Sequence, residues 1–144
     1  MASRKTTVDL NNALVRAARA HRTAAGSLLS AVGLHPGQEA LLAALYESDG
    51  RTQADLAQTL GVEPPTVTKM LQRMEAGDLV ERTGDPGDRR ALRVHLTARG
   101  KRLRPRLDKA LRQLDEQAFD GLSDRQQTQL AAMLTQVAEN LTSD

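Results

Sequence analysis

The chain has 144 residues and a formal net charge of only +2, a length that accommodates one domain or two small fused lobes and excludes a multidomain enzyme. The absence of cysteine excludes disulfides, thiolate metal sites and cysteine nucleophiles, and no apolar run approaches the 18 residues of a transmembrane helix. Leucine and alanine account for 22 and 21 residues, whereas Tyr46 and Phe119 are the only aromatics, so we expect a mainly helical fold.

Two helices are predicted in the N-terminal third. A stripe with heptad spacing predicts a helix from about residue 8 to residue 31 that is broken at Gly33, preceded by a frayed start over 1–7. Pro36 suits the first turn of a second helix, which ends at residues 48–50. The members of the stripe are Leu14, Ala18, His21, Ala25, Leu28 and Val32.

The next two helices are predicted to form a helix-turn-helix. Thr52 with Asp55 resembles a capping box, with Asp in place of Glu, and opens a short helix over 53–60 that stops at Gly61. A second helix begins near Pro64-Pro65 and ends at Gly77. Two short helices joined by a tight turn that contains glycine are typical of this motif. The side of the second helix predicted to be buried carries Val67, Met70, Leu71 and Met74.

After residue 77 the apolar period changes from 3.6 to 2. Residues 79–82 and 91–96 predict a two-stranded hairpin, joined by a basic loop over 83–90 that we call the wing tip. Thr97 is the predicted N-cap of a long helix over 98–118, in which Pro105 should produce a kink. Ser123 with Gln126 forms another capping box, which opens a final helix. The apolar stripe of that helix is Leu130, Leu134, Val137 and Leu141.

Charge is segregated along the chain in a way that predicts nucleic-acid binding. Residues 51–107 carry a net charge of +5, whereas residues 108–144 carry −4. The second helix of the motif can enter a major groove, where base edges are distinguishable, and its N-terminal end favours phosphate. The hairpin can reach phosphates or the minor groove. The predicted contacts are Thr52, Gln53, Pro65, Thr66, Thr68, Lys69, Gln72, Arg73, Asp88, Arg89 and Arg90. For Lys69 and Arg73 taken alone, an ordinary solvated helix face is the alternative.

Four segments are distinctive: TQADLAQTLG at 52–61, PTVTKMLQRMEAGDLVER at 65–82, DPGDRR at 85–90 and LTARG at 96–100. Together they resemble the MarR (multiple-antibiotic-resistance regulator) family of winged-helix repressors. The resemblance at the level of motifs covers about residues 34–104. The departure is Pro64-Pro65, where the family often carries small polar or charged residues.

The resemblance implies a homodimer with two lobes. Residues 1–35 and 98–144 would form the helical dimerisation lobe, and residues 36–97 the winged helix-turn-helix. It also implies that Asp88 pairs with Arg90, which reaches the minor groove, while Arg89 contacts phosphate. The expected interface residues are Leu14, Leu28, Leu114, Leu130, Leu134 and Leu141.

Family members often respond to small aromatic or phenolic molecules bound between the two lobes, which implies a small effector. The other expected partners are palindromic double-stranded DNA and a second copy of the chain. Ligand candidates are Arg16, His21, His35 and Tyr46, although a hydrogen-bonded interface histidine is the favoured interpretation of His21. We expect no enzyme activity, cofactor, metal or membrane partner, and a cytoplasmic location because the N-terminus lacks the apolar core of a signal peptide. The alternative function is a winged-helix protein-interaction or non-specific DNA-binding module without ligand response.

Overall fold

The computed structural model describes the backbone of residues 2–142 and the side chains of residues 9–142. Helix α1 (Ala2–Ala31) begins earlier than the predicted residue 8, because the preceding sequence contains no glycine or proline to stop it. Helix α2 (Gln38–Glu47) begins after Pro36 and not at it. Gly37 has a φ of 98°, a left-handed conformation that a helix cannot include, so the proline lies in the turn before the helix.

The helix-turn-helix lies where the sequence predicts it, in α3 (Gln53–Leu60) and α4 (Pro64–Ala76). Thr52 Oγ1 accepts a hydrogen bond from Asp55 N at 3.1 Å, which is one half of the predicted capping box. The carboxylate of Asp55 does not complete the box, because its Oδ2 binds Arg51 Nε at 2.6 Å. Gly61 ends α3 with a φ of 66°.

The sheet has three strands and not the two expected. Strands β2 (Val80–Asp85) and β3 (Asp88–Leu96) form the hairpin, and β1 (Arg51–Thr52) pairs antiparallel with β3 to give the order β1-β3-β2. The connection between β2 and β3 is only Pro86-Gly87, so the predicted loop over 83–90 is wrong. Asp85 Oδ1 accepts a hydrogen bond from Gly87 N at 2.8 Å, which closes the turn and lets both strands extend.

Helices α5 (Ala98–Ala118) and α6 (Asp124–Thr142) complete the part of the chain that the structure describes. The capping box of α6 is confirmed: Ser123 N donates to Gln126 Oε1 at 2.9 Å, and Gln126 N donates to Ser123 Oγ at 3.2 Å. Pro105 lies inside α5 without ending it. None of the helices within residues 2–142 is long and apolar enough to cross a membrane.

The core lies between α2, α3, α4, the sheet and one face of α5. Leucine supplies most of it, and α1 contributes only its last turn. The most deeply buried side chains are those of Leu29, Leu41, Leu42, Leu45, Leu56, Val67, Leu71, Met74, Val94 and Leu107. By contrast, α6 has no buried residue at all.

Candidate nucleic-acid interface

Helix α4 has one buried face and one exposed face. Val67, Leu71 and Met74 anchor it in the core. Among the described side chains, neither Lys69 nor Arg73 forms a hydrogen bond or an ion pair, so both cations are available to a ligand. The predicted contacts that lie on the exposed face are Pro65, Thr66, Lys69, Gln72 and Arg73.

The N-terminus of α4 lacks the donors that would hold a phosphate, contrary to prediction. Pro64 and Pro65 occupy the first two helical positions and have no backbone N–H. The next two N–H groups, of Thr66 and Val67, both donate to the carbonyl oxygen of Glu63, at 2.9 and 3.3 Å. The polar contacts of this helix must therefore come from its side chains.

The wing presents two unpaired arginines just after its turn. Asp88, Arg89 and Arg90 are all exposed at the start of β3. Asp88 Oδ1 accepts a hydrogen bond from the backbone N of Arg90 at 2.9 Å, whereas the implied ion pair with the Arg90 guanidinium is absent among the described side chains. A short Asp side chain readily reaches the N–H two residues on. Asp88 therefore shapes the backbone beneath Arg90 and leaves the guanidinium free.

Two predicted contacts, Gln53 and Thr68, are engaged within the protein. Gln53 Nε2 donates to Thr68 Oγ1 at 2.7 Å, and Arg82 Nη1 donates to Gln53 Oε1 at 3.5 Å. Arg82 Nε also binds Glu75 Oε1 in an ion pair. The sequence analysis missed Arg82 and Glu75, because these contacts connect different elements and no pattern within one element reveals them.

Comparison with known proteins decides the family. The sequence profile described as MarR family matches residues 32–91. The HTH-type transcriptional repressor Rv2887 of Mycobacterium tuberculosis is 30% identical over 131 residues, which are 91% of each chain. This chain belongs to the MarR family. The matched region spans 65% of the length of another relative, the regulator YsmB of Bacillus subtilis, at 32% identity.

Solved structures of MarR proteins share the whole architecture. A MarR transcriptional regulator from Methanosarcina mazei Go1 is 30% identical, with a TM-score of 0.78 over 91% of this chain and 94% of its own. A mutant MarR from E. coli complexed with operator DNA has a TM-score of 0.82 over 92% and 95% of the two chains, at 21% identity. The winged-helix fold and the family predicted from the sequence are confirmed.

In this MarR-family chain a cationic cleft of about 440 Å³ lies between the winged helix and the long helices. Its lining includes Arg73 of α4 and a row on α5 formed by Arg99, Arg102 and Arg106. None of these four guanidinium groups has a hydrogen-bond or ion-pair partner among the described residues. The sequence analysis missed the row, although its spacings of three and four residues place it on one helix face.

The four predicted ligand residues do not come together. Only His35 lines the cleft, whereas Arg16 and His21 are exposed on α1 outside it. Tyr46 is used elsewhere: its hydroxyl donates to the carbonyl oxygen of Gly100 at 2.6 Å, and the Arg104 guanidinium lies 5.2 Å from its ring centroid. Of the four predicted ligand residues, His35 therefore shares the cleft with the four arginines, and the other three do not line it.

Another cavity, of about 560 Å³, lies beside β1, but both of its arginines are already paired. Arg51 binds Asp55, and Arg93 binds Asp85 at 3.1 Å, so neither cation is left for a ligand. The described side chains also contain no group of three or more His, Asp or Glu arranged to hold a metal ion.

The predicted interface leucines fall into three groups by exposure. Leu14, Leu134 and Leu141 are exposed in the single chain, with 37%, 43% and 78% of their surface accessible. Leu28 and Leu130 are half-buried. Leu114 is only 7% exposed because α5 turns it inward, so it has little surface to offer to a partner.

Proposed function

We propose that the protein is a dimeric transcriptional repressor that binds an inverted-repeat operator through α4 and the wing. The observation that carries the proposal is the set of unpaired cations on these two elements: Lys69, Arg73, Arg89 and Arg90. Cations that neutralise phosphates supply much of the affinity for DNA, and these four lie on the two elements that can reach the grooves. The repressor activity of the relative Rv2887 and the operator complex of the E. coli MarR structure support this assignment.

Dimerisation follows from the helices that the single chain leaves uncovered. Helix α6 exposes Met133, Leu134, Val137 and Leu141, and α1 exposes Leu10, Leu14 and Val15. Exposed apolar stripes on two helices are typical of a surface that another molecule covers. A second copy of the chain supplies the same surface by two-fold symmetry, and the same symmetry requires an operator with two half-sites about one helical turn apart.

The test begins with selection of a duplex from a randomised library by the wild-type protein. We expect an inverted repeat, bound at least about 1000-fold more tightly than a scrambled duplex at matched salt. Lys69→Ala should lower the affinity about tenfold or more if Lys69 reads a base. Lys109→Ala is the matched control, because Lys109 is an exposed lysine on α5 outside this surface. Equal affinity for selected and scrambled duplexes would identify a non-specific DNA-binding module instead.

The wing is tested by the salt dependence of operator binding. Arg90→Ala should weaken binding strongly while leaving Tm unchanged, because the side chain is exposed and has no hydrogen-bond or ion-pair partner among the described residues. Arg89→Ala should reduce the slope of log K against log salt by about 1 if it removes one phosphate contact. Wild-type slopes in both variants would contradict a wing contact.

For the effector, we propose a small organic anion with an apolar body, bound in the cationic cleft. Four unpaired guanidinium groups favour a carboxylate, and Met74, Leu79 and Leu103 supply an apolar wall. Titration calorimetry with a panel of aromatic carboxylates from benzoate to phthalate should detect binding that Arg106→Gln weakens about tenfold, which corresponds to one lost charged contact. Arg112→Gln, an exposed arginine outside the cleft, should bind like wild type. Equal losses in the two variants would place the anion elsewhere.

A further inference from the structure

We propose that Gln53 and Thr68 act as positioning residues and do not read bases, and that Arg82 is the centre of a hydrogen-bonded brace that orients α4 against α3 and the wing. The brace consists of Gln53, Thr68, Glu75 and Arg82. The inference rests on the proposed operator binding, since orientation has a measurable effect only if α4 enters a groove. It assigns a role to two residues, Glu75 and Arg82, that carry none in the proposed function.

The amide of Gln53 is occupied at both ends. Its Nε2 donates to Thr68 Oγ1 at 2.7 Å, and its Oε1 accepts from Arg82 Nη1 at 3.5 Å. Glutamine reads adenine through simultaneous use of its donor and its acceptor. The two contacts within the protein therefore fix the orientation of the Gln53 amide, and they use one of its two N–H groups and one of its two lone pairs.

Thr68 is occupied in the same way. Its hydroxyl has a single proton, which it donates to the carbonyl oxygen of Pro64 at 3.1 Å, and the same oxygen accepts from Gln53 Nε2. The residue is half-buried, whereas Thr66 and Lys69 beside it are exposed. The hydroxyl therefore faces α3 and not the exposed surface of α4.

Arg82 extends the same brace to the far end of α4. The side chain lies in β2, is only 19% exposed, and binds Glu75 through Nε and Gln53 through Nη1. Thr68 and Glu75 lie two helical turns apart on α4, so the brace holds this helix at two points along its length. Through Arg82 the first strand of the wing is fixed to both helices of the helix-turn-helix.

One consequence follows for recognition. The angle at which α4 meets the groove depends on bonds made within the protein, and every side chain on its exposed face shares that angle. Loss of the brace should therefore reduce base preference across the whole half-site, whereas loss of a reading residue reduces it at one base pair. This difference separates positioning from reading.

The experiment is a double-mutant cycle on operator binding, with the duplex selected by the wild-type protein as the probe. Thr68→Val and Gln53→Leu should each weaken binding about tenfold, and the double variant should lose clearly less than the product of the two single losses, because the Gln53–Thr68 bond is removed by both. Thr68→Ser keeps the hydroxyl and should restore wild-type binding. The overturning result is a double variant whose loss is the product of the two single losses.

A base-substitution scan of the duplex gives the second measurement. In Thr68→Val and in Arg82→Lys, which keeps the charge but lacks the second nitrogen that reaches Gln53, preference should weaken at all positions under α4. A loss confined to one base pair would show that the residue reads that base and would overturn the inference. Thermal melts of the free variants identify any that fail to fold. If Thr68→Val or Gln53→Leu does not fold, the operator binding of Arg82→Lys and Thr68→Ser tests the inference.

Arg51→Gln is the matched control for the cost of breaking a partly buried arginine cluster. Arg51 is also 19% exposed, and its side chain binds Asp55, Thr59 and the carbonyl oxygen of Ala44 but no residue of α4 or of the hairpin. Arg51→Gln should lower Tm and leave the base preference at every position under α4 unchanged. If the wild-type protein selects no sequence, the proposed function and this inference both fail; if it selects one and the cycle is additive, only this inference fails.

Discussion

At the scale of single residues, Tyr46 shows how one side chain connects α2 to α5. Its ring is half-buried in α2, its hydroxyl donates to the Gly100 carbonyl oxygen at 2.6 Å, and Arg104 lies over its face. Burial raises the pKa of the Tyr46 hydroxyl above its usual value of 10.0, the charge of Asp108 raises it further, and Arg104 opposes both. The neutral hydroxyl is therefore the form that the folded state stabilises.

Tyr46→Phe should lower the free energy of unfolding by about 1 kcal/mol at neutral pH, the usual net value of one hydrogen bond. Because folding raises the pKa of the Tyr46 hydroxyl, the stability that this hydroxyl contributes is complete below the pKa of an unfolded tyrosine, about 10. That stability is lost as pH rises through the pKa of the folded state. The advantage of wild type over Tyr46→Phe should thus shrink in alkaline solution. Urea denaturation of both proteins from pH 8 to pH 11 measures it, and a constant difference would contradict the assignment.

At the scale of elements, the decisive contact is between the end of α4 and the start of α5. Thr97 Oγ1 donates to the carbonyl oxygen of Asp78 at 2.6 Å and accepts from Gly100 N at 3.0 Å, while Thr97 N donates to the carbonyl oxygen of Leu79 at 3.1 Å. A Cβ at Gly100 would lie 2.2 Å from the Leu79 oxygen. This close approach gives the LTARG segment at 96–100 its physical basis.

Gly100→Ala should destabilise the protein by several kcal/mol, because the new methyl group meets backbone that cannot move aside; overpacking alone usually costs about 1–3 kcal/mol. Gly84→Ala is the matched control, since a Cβ at Gly84 meets nothing within 4 Å. Chemical denaturation of the two variants gives the comparison. Equal stability would show that α4 and α5 are less tightly joined than the structure describes.

The sequence was sufficient to predict caps that depend on neighbouring residues. It was not sufficient for features that depend on residues distant in the chain. The N-cap at Thr52 and the capping box at Ser123 each depend on a bond three residues away, so both could be predicted. Strand β1 has only two residues and exists because β3 pairs with it. The same limit applies to the candidate nucleic-acid interface. The exposed cations on α4 could be predicted from helical periodicity, whereas the bonds of Gln53 could not, because they depend on which elements pack beside it.

At the scale of the whole molecule, the outstanding feature is the apolar face of α6. We expect Leu134→Glu to dissociate the proposed dimer, because an unpaired carboxylate in an apolar interface costs several kcal/mol. Ala132→Glu adds the same charge on the opposite face of α6 and should remain dimeric. Sedimentation velocity at micromolar concentration distinguishes them, and a folded wild-type monomer under these conditions would refute the assembly.

The exposed face of α6 also has a kinetic consequence. An isolated helix of this length is marginal in water, since helix formation has a costly nucleus and most helical stability comes from packing. The segment from α2 to α5, which contains most of the core, can collapse through contacts within one chain, but in the proposed dimer α6 gains its packing only when a second chain arrives. Refolding should therefore contain a second-order phase, observed as a gain of helical signal whose rate increases with protein concentration.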